Sequence, residues 1–173
     1  IAWKLSQSNK LNKLYCSPGN SGTSIFGENI ECKNNAELLQ FALNNNIDIT
    51  IIGPEEPLTQ GITDLFNQRK LNIFGPSKKA SRIESSKVWA KNIFKKYSIP
   101  TAESYVFENI EEASSFLEGN NPAKWVIKVD GLAGGKGVFL PKNIEESNNY
   151  LGLIFSKKIF GEAGKKILIE EKL

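Results

Sequence analysis

The chain has 173 residues, 40% of them hydrophobic and 24% charged, and a formal net charge of +3. These are ordinary proportions for a globular protein; no run approaches the about 18 apolar residues of a membrane span, and the lysines are too dispersed for a nucleic-acid footprint. Histidine is absent and Cys16 and Cys32 are the only cysteines, which excludes a Cys/His zinc site and suits reduced, cytoplasmic thiols better than a disulfide framework.

The chain opens at Ile1 with Ile1, Trp3 and Leu5 along one side of a short helical segment, and closes on the strand-like run Lys166–Leu173. Both ends read as abrupt, so the chain is expected to be an internal segment of a longer protein. Lys13–Cys16 is a strand candidate that runs into the turn-forming Ser17-Pro18-Gly19-Asn20-Ser21-Gly22. Asn35–Asn45 carries Leu38, Leu39, Ala42 and Leu43 at helical spacing, and Asp48–Ile52 is a β-branched run of the kind buried on both faces of a parallel sheet. Gly53-Pro54-Glu55-Glu56-Pro57 turns the chain into a helix over Leu58–Arg69, with Pro57 at its first position. Asn72–Phe74 is the next strand. This alternation predicts an α/β fold with a doubly wound parallel sheet.

The pattern then changes. Helices are expected over Ile83–Tyr97, Ile110–Leu117 and Glu145–Ile154, and strands over Ser104–Phe107, Trp125–Val129, Val138–Leu140 and Lys166–Glu171. Trp125–Val129 and Val138–Leu140 are joined by a glycine-rich loop with no helix between them, which indicates an antiparallel hairpin in an α+β module. The expected domains are residues 1–82 and 83–173.

The loop Asp130-Gly131-Leu132-Ala133-Gly134-Gly135-Lys136-Gly137 is the most informative stretch. Its glycines permit close approach of the backbone to a ligand, and successive free N–H groups form an anion-binding concavity. It fits neither the Walker A nor the dinucleotide-binding pattern, and a flexible hairpin tip is the simpler alternative. Lys128 lies in the apolar strand before it, where an unpaired ammonium is costly; a phosphate or an internal carboxylate would each supply the partner. Lys87, Lys91 and Lys95 recur every four residues on one helix face, either as a solvated stripe or facing an anion. Gly53-Pro54-Glu55 and Pro18-Gly19-Asn20 each follow a strand, where open parallel sheets place ligands, although helix starts and plain turns use the same residues. Ile169-Glu170-Glu171-Lys172-Leu173 is either an ordinary strand end or an edge that reads an adenine.

Taken in order, these segments resemble the phosphoribosylamine–glycine ligase family of ATP-grasp enzymes. The resemblance spans nearly the whole chain and rests above all on Gly53-Pro54-Glu55-Glu56-Pro57-Leu58 together with Asp130-Gly131-Leu132-Ala133-Gly134-Gly135-Lys136-Gly137-Val138. It implies a pre-ATP-grasp domain followed by the start of an ATP-grasp domain. It implies that Lys91 and Lys128 contact the phosphates of ATP and that Gly131, Gly134, Gly135, Lys136 and Gly137 cover them. Glu170, Glu171 and Leu173 would border adenine and ribose. Pro18, Gly19, Asn20, Gly53, Pro54 and Glu55 would lie on the 5-phosphoribosylamine side. The implied reaction consumes ATP with Mg2+ and joins glycine to 5-phosphoribosylamine, in the cytoplasm, with no nucleic-acid or membrane partner; nothing indicates the oligomeric state. Gly134 stands where the family usually has Ala. The family's first strand is expected before Ile1 and its metal ligands beyond Leu173, so the segment alone is expected to be inactive. Another ATP-grasp ligase of purine or carboxylase type, or a non-catalytic nucleotide-binding module, are the alternatives.

Overall fold

Parallel strand pairs and the helices between them make up the first part of the structure, a computed structural model that describes residues 1–173. The chain divides into two units, Ile1–Ser81 and Arg82–Leu173. The first contains α1 (Ala2–Ser6), β1 (Tyr15–Cys16), β2 (Glu28–Asn29), α2 (Asn35–Asn44), β3 (Thr50–Ile51), α3 (Glu55–Gln60), α4 (Ile62–Gln68) and β4 (Ile73–Phe74). β1 pairs with β2 and β3 with β4, both in parallel. The parallel sense agrees with the α/β reading, but the two ladders are separate hydrogen-bonded pairs.

Asn34 starts α2 by accepting the Glu37 N–H at 3.0 Å, a side-chain cap for a donor that has no partner within the helix. Leu39 and Ala42 of that helix then pack with Leu58, Ile62 and Phe66 to form the core of the unit.

Three expectations are corrected here. The helix expected over Leu58–Arg69 is two helices, because Gly61 at φ +93° ends α3 and begins α4. The first of them starts at Glu55, which puts Pro57 at the third helical position; the N–H there has no intrahelical partner either, so proline removes no bond. Asp48–Ile52 pairs only over Thr50–Ile51, and both residues are half-buried.

The second unit contains α5 (Arg82–Ser85), α6 (Lys87–Lys96), β5 (Ser104–Phe107), α7 (Ile110–Gly119), β6 (Trp125–Val129), β7 (Val138–Phe139), α8 (Ile144–Leu151) and β8 (Ile167–Glu171). Its sheet has the order β5-β8-β6-β7, with every neighbouring pair antiparallel. β6 and β7 form the expected hairpin across the glycine-rich loop.

Side chains alternate across the ladder, and this gives the sheet two different faces. Ile127, Val129, Ile167 and Ile169 point to one of them and pack on Ala113 and Leu117 of α7 and Leu151 of α8. The register sets Lys128 opposite Leu168 and Val126 opposite Glu170, so these four share the other face.

The helix expected over Ile83–Tyr97 is interrupted at Ser86, whose extended backbone (φ −136°, ψ 107°) and hydroxyl cap α6. The helix expected over Glu145–Ile154 ends at Leu151 and passes into a π-helical turn, Gly152–Ser156. No helix is long and apolar enough to cross a membrane.

Candidate functional site

Lys91, Lys128 and Glu170 come together on the polar-bearing face of the second unit. The Glu170 carboxylate lies 3.2 Å from Lys91 Nζ and 3.0 Å from Lys128 Nζ. Lys91 also donates to Thr101 Oγ1 at 2.6 Å and to the Ala102 carbonyl at 2.8 Å. The exposed fractions of these side chains are 13% for Lys91, 16% for Glu170 and 25% for Lys128, low enough that the charges interact with limited screening. Two ammonium groups against one carboxylate leave one positive charge among the three unbalanced, so the cluster suits an additional anion. Of the two partners the sequence allows for Lys128, Glu170 supplies the internal carboxylate.

The evenly spaced lysines of α6 do not form a uniformly solvated stripe. Lys95 is exposed, whereas Lys87 is half-buried and its Nζ lies 3.4 Å from the Gly131 carbonyl oxygen. Burial lowers the Lys87 pKa, and the positive charge of Lys128 acts in the same direction, while the negative charges of Asp130 and Glu84 oppose it.

The glycines of the loop serve two different purposes. Gly134 and Gly135 have φ of +54° and +77°, with open space where a Cβ would stand; glycine is used there for its backbone conformation. Gly131 and Gly137 are packed instead. A Cβ on Gly131 would sit 2.6 Å from Ala163 Cβ, and one on Gly137 would overlap Val129 Cγ2. Lys136 is exposed at the tip, and its N–H donates to the Ala133 carbonyl at 2.9 Å. Glu171 and Leu173 are exposed beyond Glu170, with the Glu171 N–H donating to the Glu103 carbonyl at 2.9 Å.

The expected substrate-side residues belong to the first unit and follow the carboxyl ends of β1 and β3, which lie in separate pairs. Pro18 is exposed and Gly19, at φ +77°, is half-buried against the Asn29 side chain. Asn20 Oδ1 accepts the Gly22 and Thr23 N–H groups at 2.9 and 3.0 Å, which commits its oxygen to the turn. Gly53, Pro54 and Glu55 are exposed, with Pro54 at the start of α3 and Glu55 in its first turn.

A concavity of about 380 Å3 lined by Ile110, Glu111, Ser114, Ser115, Glu118 and Asn148 belongs to the outer helices, not to the lysine-bearing face. The chain gathers no cluster of three or more His, Cys, Asp or Glu side chains.

Residues 85–173 match the family model for the phosphoribosylglycinamide synthetase ATP-grasp (A) domain, and residues 1–84 match that for the N domain of the same enzyme. The chain belongs to the phosphoribosylglycinamide synthetase family. Over its full length it is 47% identical to a phosphoribosylamine–glycine ligase of Caldanaerobacter subterraneus subsp. tengcongensis and 42% identical to one of Clostridium acetobutylicum, covering 42% of each. A crystal structure of phosphoribosylamine–glycine ligase from Thermotoga maritima superposes with a TM-score of 0.75 at 32% identity, covering 99% of this chain and 40% of that one. The chain thus spans about two fifths of the length of these relatives.

Membership of the family gives the second unit its architecture, the first part of an ATP-grasp domain. Several residues that organise the site are missing from the list that sequence reasoning produces: Thr101 and Ala102 beneath Lys91, Ser86 and Asp130 at the base of the loop, and Thr23 and Asn29 behind Asn20. Ser86 carries a readable signal, a serine three residues before the Trp89 N–H it caps. Thr23 is also local, bonded to Asn20 three residues before it, whereas the Asn29, Thr101, Ala102 and Asp130 contacts join residues nine or more apart.

Proposed function

We propose that this chain carries the nucleotide-phosphate site, and part of the substrate side, of an ATP-dependent ligase that joins glycine to 5-phosphoribosylamine. The observation that carries the reading is the convergence of Lys91 and Lys128 on one carboxylate, Glu170, with Lys128 on the strand that leads into the glycine-rich loop. Two poorly screened ammonium groups with one shared counter-charge accept phosphate oxygens readily, and the Gly131–Gly137 loop offers backbone N–H groups nearby.

In this reading the β- and γ-phosphates draw the two lysines from Glu170, whose carboxylate is released toward the ribose. Glu171 and Leu173 border the adenine. A glycine carboxylate oxygen attacks the γ-phosphorus, the bond to the β-phosphate oxygen breaks, and ADP leaves with that electron pair. The amine of 5-phosphoribosylamine then attacks the acyl carbon of the glycyl phosphate and expels inorganic phosphate, losing a proton as the amide forms. Neither step needs a protein nucleophile. The chain's contribution is positioning and neutralisation of developing charge. Pro18, Gly19 and Asn20, with Gly53, Pro54 and Glu55, would receive the phosphoribosylamine. We assign the ligands of Mg2+ to the part of the relatives' length that this chain does not span, and the enzyme to the cytoplasm, in keeping with the free thiols of Cys16 and Cys32.

The test is ADP release by the full-length parent with MgATP, omitting glycine and phosphoribosylamine in turn. Release that requires both substrates supports the reading. Release with another acid or amine transfers the protein to a sister ligase, and ATP binding without release indicates a non-catalytic module.

A further inference from the structure

The loop base and α6 are joined by a set of hydrogen bonds that the proposed chemistry does not use. Asp130, the residue after β6, accepts the Val88 N–H on Oδ1 at 2.7 Å. The Ser86 hydroxyl lies 3.1 Å from both of its carboxylate oxygens. The Asp130 carbonyl accepts the Lys87 N–H at 3.3 Å, and the Gly131 carbonyl accepts from Lys87 Nζ at 3.4 Å. On the donor side, the Asp130 N–H goes to the Lys166 carbonyl at 3.0 Å and the Gly131 N–H to the Ala163 carbonyl at 3.3 Å.

An ordinary helix cap does not account for this. α6 already has a local cap, since Ser86 Oγ accepts the Trp89 N–H at 3.1 Å. A second capping group, a carboxylate from 42 residues further along the chain, is added to the same helix start. There it gains from the helix dipole and from charge-assisted hydrogen bonds. Its effect is geometric. Asp130 is two residues after Lys128, its partner helix carries Lys91, and its N–H is fastened to the residue before β8, which carries Glu170. One joint therefore fixes the three elements that bring Lys91, Lys128 and Glu170 together.

We infer that Asp130, with Ser86, is a positioning residue that locks the base of the glycine-rich loop onto the start of α6 and so sets the spacing of the two phosphate-facing lysines. The inference rests on the proposed nucleotide-phosphate reading of the loop. It predicts that the joint is needed for the loop to close over a nucleotide although Asp130 touches no phosphate. The half-burial of Lys87 under the Gly131 carbonyl belongs to the same joint.

The experiment is limited trypsin cleavage after Lys136 in the full-length protein, titrated with MgATP and followed by mass spectrometry, with steady-state kinetics alongside. In the wild type, MgATP slows this cleavage. Asp130→Ala raises the MgATP concentration for half-protection on the order of tenfold, the scale of one lost charge-assisted hydrogen bond. Asp130→Asn, which keeps an acceptor for Val88, recovers part of the loss. Ser86→Ala shifts half-protection in the same direction by less, and Ser86→Thr restores it. The KM for ATP moves with half-protection while the KM for glycine does not.

Equal half-protection in wild type and in folded Asp130→Ala overturns the inference and leaves the phosphate reading standing. Should Asp130→Ala not fold, identical titrations for Ser86→Ala and wild type overturn it equally. Absence of protection in the wild type overturns the phosphate reading itself, and the inference with it.

Discussion

Lys128 and Glu170 meet diagonally across the β6–β8 ladder, Nζ to Oε1 at 3.0 Å, because the antiparallel register sets Lys128 opposite Leu168 and Val126 opposite Glu170. In the proposed phosphate reading, their bond is also the one that opens when Lys128 reaches a phosphate. The same carboxylate holds Lys91 at 3.2 Å, so a single acidic group is the shared partner of both lysines.

In the proposed reading, Lys128→Ala in the full-length protein removes one of the two cations that would face the phosphates. The expected loss in kcat/KM for ATP is on the order of 30- to 150-fold, about 2–3 kcal/mol for a charge-assisted contact in a poorly screened site. Steady-state kinetics with varied ATP checks this, and unchanged ATP kinetics in a folded variant would remove Lys128 from the site.

Lys91 and Lys95 differ by one helical turn and by their surroundings. Lys91 is tied to Glu170, Thr101 and the Ala102 carbonyl, whereas Lys95 is exposed. Lys95→Ala should leave ATP kinetics within about twofold, the usual scale for a surface substitution. Lys91→Ala should cost about as much as Lys128→Ala. Equal losses at 91 and 95 would return α6 to the solvated-stripe reading.

Glu170→Ala tests the same cluster through stability. It leaves two largely buried ammonium groups facing each other without a counter-charge. The expected cost is about 1–3 kcal/mol of unfolding free energy, less than for a fully buried pair because Lys128 retains some solvent contact. Urea unfolding of the parent at low and high salt checks the sign: added salt, or inorganic phosphate in the cluster, should recover part of the loss. A variant as stable as the wild type would mean that water already screens the pair.

What the sequence makes legible here follows from how local each signal is. Ser104–Phe107 and Trp125–Val129 are strands at the expected bounds, because their β-branched and aromatic runs are dense and sharply flanked. Gly61 and Ser86 break helices that apolar spacing alone draws as continuous, since the periodicity of core residues continues across a change of backbone direction. β2 escapes altogether, being the two exposed polar residues Glu28 and Asn29. Lys128 announces itself as a cation in an apolar strand, but its partner is 42 residues away. That pairing depends on the β6–β8 register, which is a property of the assembled sheet and not of either strand.

The glycines at the loop should separate by what each one does. Gly135→Ala meets open space and adds only the left-handed backbone penalty, about 1 kcal/mol. Gly131→Ala drives a methyl against Ala163 and should cost about 1–3 kcal/mol through displacement of the loop base. Amide hydrogen exchange in the parent reads the difference. Gly131→Ala is expected to speed exchange at Val88 and Ala163, and Gly135→Ala only within 131–137. The reverse pattern would place the loop's anchor at its tip.

The Pro18-Gly19-Asn20 turn is held from behind by a pair of residues outside it. Asn29 Nδ2 donates to the Asn20 carbonyl at 2.8 Å. The Thr23 hydroxyl accepts the Asn20 N–H at 2.7 Å and lies 2.8 Å from Asn29 Oδ1. Its one proton is best given to Asn29, because the Asn20 carbonyl already has a donor, and that choice closes the ring of bonds. Thr23→Val, which keeps the shape and removes the hydroxyl, should cost about 0.5–1.5 kcal/mol. Combined with Asn29→Ala it should be less than additive, as expected for residues that share one network. If this turn receives phosphoribosylamine, either change raises the KM for that substrate several-fold and leaves the KM for ATP alone. Parallel rises in both constants would instead mark the turn as a purely structural support.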